Sequence, residues 1–95
     1  MYGFPPSRHM MKVHPWTVRL HAAQVQLIEA LQTGNRNEII RGIEDVGFWT
    51  GRTMAEVISA AEGADEKSER ILKAAFRTIF DANKTVVLAQ LKMMR

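Results

Sequence analysis

Residues 38–62 keep one helical beat across a concentration of glycine, and this constrains the fold more than any other stretch of the chain. Apolar or small residues recur at Ile39, Ile43, Val46, Thr50, Met54, Val57 and Ala61, in steps of three and four, as one helix face requires. Gly42, Gly47 and Gly51 lie inside that pattern, and each costs roughly 1 kcal/mol relative to alanine in a helix interior. A break at Gly47–Gly51, giving two short helices and a turn, is the competing reading. Because the beat stays in phase on both sides, one helix from about residue 36 to 62 is the reading taken here. Losses of this kind call for compensation. Gly47 and Gly51 share a face where missing side chains would let another helix approach, and Phe48 and Trp49 flank it. The residues expected to form an association surface are therefore Ile43, Gly47, Phe48, Trp49, Gly51 and Met54.

The rest of the chain arranges itself around this helix. Residues 1–14 hold Pro5-Pro6 and no periodic pattern, so an extended N-terminal arm is expected there. Pro15 suits the first position of a helix. From Trp16 to Thr33, Leu20, Ala23 and Leu27 form one face, and Val18, Ala22, Val25 and Ile28 form a second one beside it, giving a wide apolar stripe. Gly34 ends this helix, Asn35 or Asn37 caps the next, and Gly63 ends the central one. A last helix over about 65–93 has one seam through Ile71, Ala75, Thr78/Ile79, Ala82, Val86, Ala89 and Met93. Beside that seam lie Leu72, Phe76, Phe80, Val87, Leu91 and Met94. A helix of ~27 residues is ~40 Å long, longer than the ~32 Å diameter of a compact globule of this chain length. The expected fold is all-α: an elongated antiparallel hairpin of two long helices plus a shorter N-terminal helix, one helical domain over 15–95, oligomerising as a helical bundle.

Composition narrows the function. The chain has no cysteine, which removes disulfide frameworks and thiolate metal sites. His9, His14 and His21 lack zinc-ligand spacing. No glycine-rich phosphate loop precedes a lysine, and no nucleophile–base pair is implied, so neither an enzyme nor a cofactor is expected. No apolar run approaches the ~20 residues that span a bilayer, and the start has no continuous apolar segment of signal-peptide type. A cytoplasmic protein is the expectation. Net charge is +3, too mild to argue for nucleic acid unaided. The basic excess lies in the last third, where Arg70, Lys73, Arg77 and Lys84 recur at helical spacing and could meet an acidic partner, nucleic acid or lipid head groups.

Trp16-Thr-Val-Arg-Leu20 alternates apolar and polar, the period of a half-buried strand. Followed by the helix Ala22–Gln32, a glycine turn and Asn37-Glu-Ile-Ile-Arg41, it resembles the ribbon–helix–helix DNA-binding fold over about a third of the chain. That resemblance implies a dimeric β-ribbon at residues 16–20 in the major groove, with Thr17 and Arg19 reading base edges and a phosphate near Asn37. The alternation is equally the product of a helix with two apolar faces. In composition and helix style the chain also resembles phasin-like granule proteins, which implies an amphipathic surface-associating role. The leading expectation is a scaffold, adaptor or assembly subunit that binds copies of itself and another protein.

Overall fold

In the computed structural model, which describes residues 8–63 and 65–94, the chain forms three α-helices. They are α1 (Arg8–Thr33), α2 (Arg36–Ala61) and α3 (Glu66–Met93), with no strand among the described residues. The all-helical expectation holds, and α2 runs unbroken through Gly47–Gly51. The expectation of a shorter first helix does not hold. α1 and α2 each have 26 residues and α3 has 28.

The difference lies at Pro15. Residues 8–14 were expected to be extended, and they are helical, with Pro15 inside α1 (residues 1–7 of that arm lie outside the described residues). An interior proline costs about 3 kcal/mol or more through its missing N–H and its ring. Burial opposes that cost. Met10 and Val13 are enclosed with Val57, Ala60, Leu72 and Ala75, and each large apolar side chain so buried contributes about 1.5–3 kcal/mol. Pro15 itself points to solvent.

Side-chain contacts give the helix directions. Leu27 lies against Gly42, and Thr53 Oγ1 donates to the Trp16 carbonyl at 3.2 Å, so α2 runs back along α1. Gln24 Nε2 donates to Thr85 Oγ1 at 3.1 Å and Lys92 Nζ to the Leu31 carbonyl at 2.7 Å, so α3 runs the same way as α1. Every helix packs on both others. The result is a rod of 56 × 17 × 16 Å with a radius of gyration of 15.3 Å, against ~12 Å for a compact chain of this length.

Each helix buries one narrow seam. In α2 it runs Ile39, Gly42, Val46, Thr53, Val57, Ala60, and in α3 Leu72, Ala75, Ile79, Ala82, Thr85, Ala89. Steps of three and four kept up in this way make a coiled-coil seam. The sequence pattern drifts off it after Thr50: Met54 and Ala61 are exposed, and the neighbouring Thr53 and Ala60 are buried instead. Likewise Ile71 is outside and Leu72 inside. The wide stripe expected on α1 does not form either, since Val18, Ala22, Val25 and Ile28 all face solvent. Three helices in mutual contact can each bury only the sector turned to the common axis.

The ends are capped as the turn chemistry dictates. Gly34 and Gly63 take φ of 72° and 74°, the left-handed conformation that glycine adopts at little cost. Asn35 Oδ1 accepts from the Glu38 N–H at 3.1 Å, and Asp65 Oδ1 from the Ser68 N–H at 2.8 Å. The Ser68 backbone N–H, and then its hydroxyl, hold the Asp65 carboxyl below its ordinary value. Asn35→Ala is expected to lower stability by about 1 kcal/mol, read as a drop in thermal midpoint with helicity retained below the transition. No described helix is long and apolar enough to cross a membrane.

Candidate interaction surface

Trp16, Phe48 and Trp49 gather where α1 and α2 face each other. Trp16 and Trp49 lie with ring centroids 5.4 Å apart, and Phe48 meets Trp49 edge-on at 4.9 Å. Arg19 lies over both indoles, at 5.4 and 5.2 Å from their centroids, and Arg52 over the Phe48 ring at 5.3 Å. A guanidinium over an aromatic face contributes roughly 0.5–1 kcal/mol at an exposed site. Trp16 Nε1 and Thr50 Oγ1 are enclosed with no hydrogen-bond partner among the described residues. Trp49 packs against the core, whereas Phe48 is exposed.

This geometry bears on the ribbon–helix–helix resemblance. Residues 16–20 are helical, so the ribbon which that fold needs is not formed. Thr17 Oγ1 donates to the Val13 carbonyl at 2.6 Å, and Arg19 is held over the tryptophans. The alternating stretch is helix because Val13 and Leu20, one heptad apart, are both fully buried.

The six residues expected to form one association surface divide between two sides of α2. Trp49 meets Trp16, and Glu56 approaches Lys12 with Oε1 4.0 Å from Nζ. These residues precede Thr50 and Val57, so the position before each inward one faces α1. Gly47, Gly51, Met54 and Ile58 follow Val46, Thr50, Thr53 and Val57, and they lie on the opposite flank, toward α3. Phe48 is with Trp49 on the α1 flank, and Ile43 is half-buried against the core. Among the described residues, the close-approach glycine is Gly42. A Cβ there would stand 2.9 Å from Leu27 Cδ1 and 3.3 Å from its Cα, whereas at Gly47 and Gly51 it would meet nothing within 4 Å.

The same reasoning places the outward residues of α3. Thr85 and Lys92 reach α1, and Ile71 and Ala74 line a shallow groove with His14 and Thr17. Phe76, Phe80, Asn83 and Gln90 come one position after the buried Ala75, Ile79, Ala82 and Ala89, and so lie on the α2 flank. With Val87 and Met94 they make a second seam at steps of four and three, and it holds no charged residue. Asn83 Nδ2 donates back to the Ile79 carbonyl at 2.7 Å. The second seams of α2 and α3 thus form one face, away from α1. Sequence reasoning set Phe76, Phe80, Val87 and Met94 on a line of their own in α3, but it traced a single beat through α2 and so did not join the two lines into this face.

Arg70, Lys73, Arg77 and Lys84 are all exposed, along or beside the outermost line of α3, where Leu88 and Leu91 continue it. Near the start of α3 the cations share an open depression with Asp65, Glu66 and Glu69, which offsets their charge. Comparisons with protein-family models, with curated proteins and with solved structures returned no match.

Proposed function

We propose that the protein is a non-enzymatic helical assembly subunit that self-associates through its outward apolar surface. One observation carries the reading: α3 turns mostly small side chains inward and large apolar ones outward. The inner seam of α3 is largely alanine and threonine, while Phe76, Phe80, Val87, Leu88, Leu91 and Met94 face solvent. Exposed apolar surface of this extent marks an interaction site. The chain exposes 7143 Å², against roughly 5,500 Å² for a compact monomer of its mass. The elongated shape accounts for part of that difference. Sedimentation velocity across a wide concentration range tests the reading. A dimer or larger species is expected at micromolar concentration, and a monomer throughout would end it.

A second reading has its own support. The cations Arg70, Lys73, Arg77 and Lys84, followed along α3 by Leu88 and Leu91, suit an anionic amphipathic surface such as lipid or a coated granule. Salt-sensitive co-sedimentation with anionic vesicles, lost when the four cations are replaced by glutamine, is the result expected of it. It leaves the Phe76–Met94 seam uncovered, which is why self-association is preferred.

A further inference from the structure

We propose that two copies of this chain pair face to face across α2 and α3, with Phe80 of each copy seated in the other's gap between Gly47 and Gly51. The proposal rests on the self-association reading and specifies its surface, register and symmetry.

Contacts within the chain set the heights of these residues along the rod. Gln24 meets Thr85, so stepping back equally along α1 and α3, which run together, brings Phe80 level with Arg19. Leu27 meets Gly42, and α2 runs opposite to α1, so Arg19 is level with Thr50. Phe80 therefore stands at the height of Thr50, between Gly47 and Gly51 on the neighbouring helix. The Phe80 side chain is 80% exposed, and the two glycines leave open space beside it. A projecting ring and a gap occupy one height on one face.

That juxtaposition is self-complementary under one symmetry. A two-fold axis in the plane of the face and parallel to the rod exchanges left and right but preserves height. It lays α3 of each copy over α2 of the other, and each Phe80 meets the partner's gap. A two-fold axis across the rod would instead set ring near ring and gap near gap. The favoured arrangement is isologous and closed, so it ends at a dimer.

The chemistry of the face fits a copy of itself. The α3 seam from Phe76 to Met94 is uncharged over roughly 27 Å, and the surface that covers it best is equally uncharged. On α2, Met54, Gly51, Gly47 and Ile43, which stand at the heights of Phe76 to Val87, supply one. Glu44, which follows Ile43 on that flank, stands near the height of Lys84, so the pairing also brings a carboxylate near an ammonium.

The native chain has no cysteine, so site-specific cross-linking tests the register directly. Gly47→Cys and Phe80→Cys chains are prepared separately, mixed, allowed to exchange and treated with a short bis-maleimide. The mixture is expected to give covalent dimer at several times the yield of either chain alone. Both substitutions are at exposed positions, and circular dichroism verifies that each variant folds. A dimer by sedimentation that cross-links best within a single variant overturns the register and symmetry while leaving self-association standing. A native chain that sediments as a monomer, with no cross-linking in the mixture, overturns both.

Discussion

Phe80→Glu is expected to abolish self-association while leaving the protomer folded. The side chain is 80% exposed on α3, and exposed substitutions change protomer stability by only about 0.5 kcal/mol. In the dimer its ring fills a gap near the middle of the rod, and buried aromatics at an interface carry about 2 kcal/mol or more each. A carboxylate placed there loses its hydration with no cation in the gap to offset the loss. The two-fold axis doubles the effect, because every dimer contains two such contacts. The dissociation constant should rise by a factor of about a hundred or more, at roughly 1.4 kcal/mol per tenfold. Sedimentation equilibrium reads the constant and far-ultraviolet circular dichroism confirms unchanged helicity. An unaltered constant would place the association surface elsewhere on the molecule.

Gly42→Val should act on the opposite property, destabilising the fold itself. A Cβ at Gly42 already meets Leu27 Cδ1 at 2.9 Å and its backbone Cα at 3.3 Å, and the added methyls must displace α1. Overpacking of a close-packed seam costs about 1–3 kcal/mol, and each kcal/mol lowers the thermal midpoint by roughly 4–8 °C for a chain of this size. Gly47→Ala is the contrast. There the Cβ enters open space, so under monomer conditions the variant gains up to ~1 kcal/mol of helix propensity. Thermal melts at low protein concentration compare the two. Equal effects at both glycines would contradict the packing described for α2.

The two glycines look alike in sequence and do opposite things. Gly42, Gly47 and Gly51 occupy one apolar helix, and spacing gave the notch to Gly47 and Gly51 because aromatics flank them. The close contact inside the chain is at Gly42, a position identified by Leu27 on another helix. Trp16 and Trp49 are far apart in the chain, and nothing in either segment marks them as neighbours. Pro15 likewise reads as a helix start until the burial of Met10 and Val13 is known.

Local chemistry was enough to set the helical class, the turns at Gly34 and Gly63, the Asn35 cap and the continuity of α2. Each depends on propensity, capping or phase within a few residues, and those signals are complete in a short window. Every helix here carries apolar residues on more than one side, at α1 (Leu20 and Val18), α2 (Val46 and Met54) and α3 (Ile79 and Phe80). Periodicity locates both sides and ranks neither. Only the mutual packing of three helices decided which side turned inward: α1 buries Leu20 and Leu27, α2 buries Ile39, Val46 and Val57, and α3 presents a seam rich in alanine. The apolar side chains left outside, Phe76 and Phe80 among them, collect chiefly on the face made by α2 and α3. The tertiary structure alone turned one set of apolar residues into a core and the other into a surface.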